Sequence, residues 1–210
     1  MADERRAAPV EFWFDFVSPY AYFGSTQIER VVARHGRAVD WRPVLIGITV
    51  LKVMGMRPLL EYPMKGDYLR RDGARVAELL GVPFRHHGLE RVNSVAASRA
   101  FLWLKREDPE RAVPFARRMF DRLWVRGADI TPVQASAEEA AALGADAAAL
   151  RAALEQPEAK QALKDEVDAA LARGVFGVPF FIADGEAFWG SDRLPMLEHW
   201  LQHRRWDPVR

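Results

Sequence analysis

The 210-residue sequence contains no cysteine. Without a thiol, the chain can form no disulfide bond, no thiolate metal site and no cysteine nucleophile. No apolar run approaches the ~20 residues that a membrane-spanning helix requires, and a formal net charge of +1 gives no basic field that would favour nucleic acid or an anionic membrane. Residues 1–6 mix acids with bases and fit a signal peptide poorly. We therefore expect a cytoplasmic protein with no nucleic-acid partner and no membrane partner.

The chain does contain ample material for a hydrophobic core. Half of its residues are hydrophobic and 28% are charged, an ordinary balance for a globular protein. A length of 210 residues is long for one small domain and short for two large ones. It favours one domain that carries a sizeable insertion.

The N-terminal elements predict a parallel strand–helix–strand unit. Phe12, Phe14 and Phe16 recur with the period of two that is typical of a strand with a buried face. A helix then runs from Ser18–Pro19 to about residue 35, and a second strand covers residues 39–45. Because only one helix separates these two strands, they must pair in parallel with a right-handed crossover.

Strand patterns return only near the end of the chain, at residues 179–183 and 186–189, which Asp184–Gly185 joins as a hairpin before a last helix. Six helical segments lie in between, beginning near residues 65, 93, 108, 131, 146 and 157. This order predicts an α/β protein with a thioredoxin-like βαβ-ββα core, residues 8–47 and 174–210. A large all-helical insertion, residues 48–173, separates the second and third strands, and a cleft at the junction is the expected ligand site.

Ser18 lies at the corner between the first strand and its helix. Its hydroxyl can cap the helix, and capping alone would explain the residue. The corner is also the positive end of a helix dipole, where a thioredoxin-like core carries its reactive sulfur because the dipole lowers the pKa of a thiol. Since this chain has no thiol, a thiolate here would have to come from a ligand, with Ser18 donating a hydrogen bond to it.

Two further segments can bind a ligand or can have a purely structural role. A cis Val178–Pro179 bond would leave the Val178 backbone free to pair with an extended peptide-like ligand. A trans bond that ends a loop is the simpler interpretation, because only ~5–6% of X–Pro bonds are cis. Ser191 and Asp192 open the last helix, where an acid is favoured in any case. They could instead bind a ligand that carries both a carboxylate and an ammonium group.

Three segments of the sequence, taken together and in this order, carry a family resemblance. They are residues 14–20 (FDFVSPY), 174–181 (GVFGVPFF) and 188–193 (FWGSDR). The chain resembles the 2-hydroxychromene-2-carboxylate isomerase family, which is related to kappa-class glutathione transferases and to DsbA-like thioredoxin-fold proteins. The resemblance implies that Ser18 faces the sulfur of bound glutathione. It also implies glutathione contacts for the residues around the proline and at the last helix: Phe176, Val178, Pro179, Ser191 and Asp192.

Four further residues are candidates for the substrate side of the site, two of them through the resemblance and two through their position or charge. Lys65 matches a family lysine near glutathione and substrate, although a solvated lysine in a first helical turn is an equal alternative. Tyr20 would form a wall of an aromatic pocket, and Arg85 is a second candidate cation. Asn93 falls where relatives often carry a substrate-side asparagine, but we favour a helix cap. Met56 departs from the family, because relatives often have asparagine there. The sequence therefore does not identify the exact substrate.

The leading hypothesis is therefore a glutathione-dependent isomerase of a small aromatic carboxylate, assembled as a homodimer. One alternative is a kappa-like glutathione transferase or peroxidase acting on another electrophile. Another is a non-catalytic thioredoxin-fold module that binds peptides along the Val178 edge. We expect no metal site, because the adjacent His86 and His87 would not face one point and no acidic motif accompanies them.

Overall fold

The computed structural model describes residues 8–86, 88–89 and 91–206. Its central element is a four-stranded mixed sheet in the order β2-β1-β3-β4. The strands are Val10–Phe14 (β1), Val39–Pro43 (β2), Phe180–Ala183 (β3) and Glu186–Trp189 (β4). β1 pairs in parallel with β2, and β3 is antiparallel to both of its neighbours. The predicted thioredoxin-like core is confirmed.

The helices of the described residues follow the predicted order. They are Pro19–Ser25 (α1), Ile28–Ala33 (α2), Pro63–Leu80 (α3), Val95–Glu107 (α4), Pro109–Trp124 (α5), Val133–Ala141 (α6), Ala147–Glu155 (α7), Pro157–Ala172 (α8) and Leu194–His203 (α9). A π-helical turn covers Gly47–Val53, and 3-10 turns cover Leu59–Glu61 and Ser191–Arg193. All of α3 to α8 lies between β2 and β3, as expected of the helical insertion. The boundaries assigned to the two parts, 8–47 with 174–210 and 48–173, stay a prediction.

The first predicted helix is in fact two helices, because the chain breaks at Thr26. The hydroxyl of Ser25 donates to the Tyr22 carbonyl at 2.6 Å, and that of Thr26 donates to the Phe23 carbonyl at 2.8 Å. Side chains that bond to nearby carbonyls compete with the helical backbone and favour a bend or an end. Two hydroxyls in succession therefore end α1 early.

Both faces of the sheet are buried. On one face Phe14 and Phe16 pack against Phe101 and Phe120 of the insertion. On the other face Trp13 is fully buried in a second cluster that includes residues of α8. The helical insertion thus covers the sheet from both sides, and its helices hold the ends of the strands in place. No helix in the described part of the chain combines the length and the apolar character that a membrane crossing needs.

Candidate active site

Ser18 occupies the turn between β1 and α1 and is 6% exposed. Its Oγ accepts a hydrogen bond from the Ala21 N–H at 3.2 Å, so the predicted cap is confirmed. This bond uses a lone pair of the hydroxyl, and its O–H donates to no group in the described residues. Capping and contact with a ligand are therefore compatible roles for one side chain.

The segment around Pro179 lies directly on α1. The Val178–Pro179 peptide bond is cis. A Cβ built on Gly24 of α1 would come within 3.2 Å of the Pro179 Cβ, and the Pro179 carbonyl accepts from the Gly190 N–H at 2.9 Å. The N–H and C=O of the half-buried Val178 have no hydrogen-bond partner among the described residues. Both groups are available to an extended ligand.

The third predicted segment adjoins the same helix. The turn Ser191–Arg193 packs against α1 and begins after Gly190, whose φ of 110° is accessible to glycine. The Asp192 side chain is 71% exposed and lies 3.5 Å from that of Arg193. The three segments implied by the resemblance are thus neighbours, arranged around α1.

Tyr20 connects α1 to the helical insertion. Its hydroxyl donates to Oδ2 of Asp72 in α3 at 2.6 Å. Burial, followed by this bond and by the negative charges of Asp72 and Asp192, raises the pKa of Tyr20. The hydroxyl therefore stays protonated, and its hydrogen is committed to Asp72. Asp72 was not predicted from the sequence, because no pattern along a solvated helix indicates that one of its acidic residues contacts Tyr20.

Lys65 projects from the first turn of α3 and is exposed. It precedes Asp72 by two helical turns, about 10 Å along the same face of the helix. Its Nζ lies 5.1 Å from the centre of the Tyr62 ring and forms no ion pair within the described residues. Lys65 borders a depression of about 370 Å³ whose other walls are apolar or aromatic: Leu59, Met64, Tyr68 and Leu69. An unneutralised cation beside apolar walls suits an anionic, partly apolar molecule.

Known proteins resemble this chain over most of its length. Residues 9–202 match the DSBA-like thioredoxin domain. The chain belongs to this family. Human glutathione S-transferase kappa 1 is 31% identical, over 95% of this chain and 93% of the relative. The 2-hydroxychromene-2-carboxylate isomerase of Pseudomonas putida is 28% identical, over 90% of this chain and 92% of its own. The solved structure of a 2-hydroxychromene-2-carboxylate isomerase superposes with a TM-score of 0.83 at 26% identity, covering 93% of this chain and 95% of that one. The resemblance inferred from the sequence is confirmed.

Two of the predicted substrate-side residues of this DSBA-like domain have structural contacts of their own. The Asn93 Oδ1 accepts from the Val95 N–H at 3.2 Å, but the N-cap residue of α4 is Ser94, whose side chain makes no cap bond. Asn93 therefore closes a local turn just before the helix and is not its N-cap, contrary to the prediction. The exposed Arg85 donates its backbone N–H to the Trp124 carbonyl at 2.6 Å, and its side chain lies beside Gly127. Within the described residues, Arg85 has no hydrogen bond or ion pair to another predicted site residue.

Phe176 and Trp189 form an exposed aromatic pair beside Val178. Phe176 is 44% exposed and Trp189 is 54% exposed, and their rings meet edge to face at 5.0 Å. A Cβ on Gly177 would lie 2.5 Å from the Trp189 Nε1, so a larger residue there would require the exposed Trp189 ring to move. The aromatic pair adjoins the Val178 segment, since Phe176 precedes it by two residues and Trp189 pairs with Phe180.

Asp15 is a buried residue of the site that the sequence pattern did not single out. It is 1% exposed. Its Oδ1 accepts from the Ser94 hydroxyl at 2.5 Å and from the Val17 N–H at 3.2 Å, and its Oδ2 accepts from the Ile46 N–H at 2.8 Å. Burial raises the pKa of Asp15, and these three hydrogen bonds oppose that rise. One carboxyl group thus joins the Ser18 turn, the start of α4 and the chain after β2.

Among the described residues, no three histidine, aspartate or glutamate side chains are arranged to hold a metal ion. His87, half of the histidine pair considered in the sequence, lies outside those residues.

Proposed function

We propose that the protein uses glutathione as a thiol cofactor and interconverts 2-hydroxychromene-2-carboxylate and trans-o-hydroxybenzylidenepyruvate, a step in the degradation of aromatic compounds. The observation that carries the proposal is the convergence on α1 of the Ser18 turn, the Val178 backbone and the Ser191–Arg193 turn. The names of the relatives at 28% and 31% identity support both the reaction and the cofactor.

The residues present fit glutathione. The free O–H of Ser18 would donate to the sulfur, and the amino end of α1 would favour its negative charge. The unpaired N–H and C=O of Val178 would pair with the peptide backbone of the ligand, flanked by Phe176 and Pro179. Ser191 and the exposed carboxylate of Asp192 would hold the γ-glutamyl end, whose ammonium group needs an anionic partner.

The substrate would lie between α1 and α3. When bound, glutathione supplies a thiolate that adds reversibly to a conjugated carbon, which lets a double bond rotate as a single bond before the thiolate leaves. The Lys65 cation would bind the substrate carboxylate, with Arg85 as a second candidate cation. Tyr20, whose proton is committed to Asp72, would form the aromatic wall, and Asn93 would lie at the substrate side of the α4 start.

A kappa-like glutathione transferase or peroxidase is the second candidate, favoured by the 31% identity to the human kappa enzyme. It would bind the glutathione thiolate at the same Ser18 turn and use it to attack another electrophile. Product analysis separates the two, because isomerisation leaves the amount of glutathione unchanged whereas conjugation and peroxidation consume it. We also infer that the protein is cytoplasmic and that it forms a homodimer. Sedimentation of the purified protein tests whether it is a dimer.

Calorimetric titration of glutathione between pH 6 and 9 tests the proposal directly. We expect the native protein to bind glutathione and to release a proton below the pKa of the free thiol, because the bound form is a thiolate. Ser18→Ala should abolish that proton release. Ser18→Thr should retain it, because threonine keeps the hydroxyl group. If none of the proteins binds glutathione, the proposal is wrong. Binding of extended peptides would then favour the non-catalytic module.

A further inference from the structure

A second cavity, of about 370 Å³, lies between α4 and the region where α7 meets α8. None of the residues that line it is among those predicted to bind glutathione or the substrate. Helix α4 contributes Arg99, Leu102, Trp103 and Arg106 to its wall, and α8 faces them from the other side. The cavity therefore combines two guanidinium groups with an aromatic and an aliphatic surface.

Arg99 is the unusual member of this wall. Its Nε is buried and has no hydrogen-bond partner, and its guanidinium forms no ion pair within the described residues. A buried N–H of a charged group without an acceptor is costly, so native proteins supply a partner from the protein, from water or from a ligand. Protein atoms enclose this Nε, so a ligand in the cavity can reach Arg99 only through its terminal nitrogens, which also have no hydrogen-bond or ion-pair partner within the described residues.

The carboxylates around the cavity do not pair with the Arg99 guanidinium. Both oxygens of Glu166 accept hydrogen bonds from Arg42, at 2.7 Å and 2.9 Å, and that arginine is held over the Trp13 ring at 4.3 Å. The exposed Glu158 lines the cavity without bonding to Arg99. Arg106 donates its Nε to Glu107 and points the rest of a largely exposed side chain to the cavity rim.

We propose that this cavity binds a small organic carboxylate, at a site separate from the glutathione site. The ligand carboxylate accepts from the terminal N–H groups of Arg99, which a planar guanidinium presents in a geometry that matches a carboxylate. The apolar part of the ligand packs on Leu102 and Trp103. A fully polar anion such as phosphate would leave this apolar wall uncovered, so we assign the site to organic acids rather than to inorganic anions.

Calorimetric titration with benzoate as the probe tests the proposal. The Lys65 depression also suits an aromatic carboxylate, so all titrations are made with Lys65→Ala, which lacks the cation of that site. We expect saturable binding to this protein, and at least about tenfold weaker binding once Arg99→Gln is added. Arg30→Gln added instead, which removes an exposed arginine from α2, is the matched control and should leave the binding unchanged. Binding to a protein without Lys65 separates this proposal from the proposed function.

Three outcomes of these titrations would overturn the proposal. The first is unchanged affinity when Arg99→Gln is added to Lys65→Ala, and the second is no binding of benzoate to Lys65→Ala. The third is inorganic phosphate binding as tightly as benzoate, which would make the cavity a general anion site. Thermal unfolding of Arg99→Met, also combined with Lys65→Ala, gives an independent measurement. Removing an unpaired buried N–H should leave the ligand-free Tm unchanged or higher while abolishing the benzoate-induced rise in Tm. A lower ligand-free Tm would mean that Arg99 has a structural role instead.

Discussion

Asp15 is an ionisable group buried where three chain segments meet, and its protonation is linked to folding. Burial raises its pKa above the ordinary value of 3.8. The folded protein therefore holds this proton more tightly than the unfolded chain does. The contribution of Asp15 to the free energy of unfolding is consequently largest at low pH. It falls as the pH rises from about 3.8 through the raised pKa, and it is constant above that.

Replacing Asp15 by asparagine removes this titration while keeping the shape of the side chain. We expect the free energy of unfolding of the native protein, relative to Asp15→Asn, to decline with increasing pH over that window. Urea unfolding at a series of pH values measures the difference. Asp67→Asn, on an exposed part of α3, is the matched control. A gap between native protein and Asp15→Asn that does not change with pH would contradict the prediction.

Lys65 is the cation that the proposed reaction assigns to the substrate carboxylate. It is exposed and has no ion pair in the described residues, so its removal leaves no other charge unpaired. We expect Lys65→Ala to raise the KM for the hydroxychromene carboxylate by about tenfold, since hydrogen bonds to charged groups contribute on that scale. Steady-state isomerisation kinetics check this value. Lys160→Ala, an exposed lysine of α8, should leave KM unchanged. If Lys65→Ala alters neither KM nor turnover, Lys65 is only a solvated lysine.

The start of α3 depends on a close approach of two backbone segments. A Cβ on Gly66 would lie 2.5 Å from the carbonyl oxygen of Leu60, in the turn Leu59–Glu61 that precedes the helix. Alanine normally stabilises a helix by about 1 kcal/mol relative to glycine. Here the added methyl group must displace a backbone segment, and such overpacking costs about 1–3 kcal/mol.

We therefore expect Gly66→Ala to lower the free energy of unfolding and, through the displaced helix start, to weaken the Lys65 site. Urea unfolding gives the first quantity and the KM of the isomerisation gives the second. Leu79→Ala, at 86% exposure near the other end of α3, should change neither. A gain in stability for Gly66→Ala would show that the turn adapts at no cost.

Most elements could be predicted because their signals are local. Gly36 and Gly81 adopt positive φ just after α2 and α3, a conformation that glycine favours at helix ends. Pro109 and Pro157 begin helices near the predicted starts at residues 108 and 157. The π-helical turn Gly47–Val53 has no such signal, and no element was predicted there. Its form depends on what it packs against, in part α8.

The same distinction holds for the site. The resemblance implied contacts around Ser18 and Val178, and the structure brings these segments together around α1. Asp15 and Asp72 could not be predicted, because their importance comes from partners 79 and 52 residues away in the chain. Likewise, the dipeptide sequence Val178–Pro179, considered by itself, favours a trans peptide bond, whereas the structure contains the cis form.

The two parts of the molecule pack together in shared hydrophobic clusters, one on each face of the sheet. The ring centre of Phe14 in β1 lies 5.4 Å from that of Phe101 in α4, and the ring centre of Phe16 lies 5.0 Å from that of Phe120 in α5. The Trp124 indole N–H also donates to the Phe16 carbonyl at 2.8 Å, just before the Ser18 turn. Residues of the insertion therefore support the same turn that the proposed function places beneath the thiolate.

This shared core predicts that the sheet and the helical insertion unfold together. Far-UV circular dichroism, dominated by the helices, and tryptophan fluorescence should give coincident urea transitions. Phe120→Ala should lower the common free energy of unfolding by about 3–5 kcal/mol, because it opens a cavity where the two parts meet. Leu79→Ala, at 86% exposure on α3, is the control and should leave the transition in place. Two separated transitions, or a Phe120→Ala effect confined to the helical signal, would mean that the insertion folds as an independent unit. The Ser18 turn would then not depend on the insertion for its position.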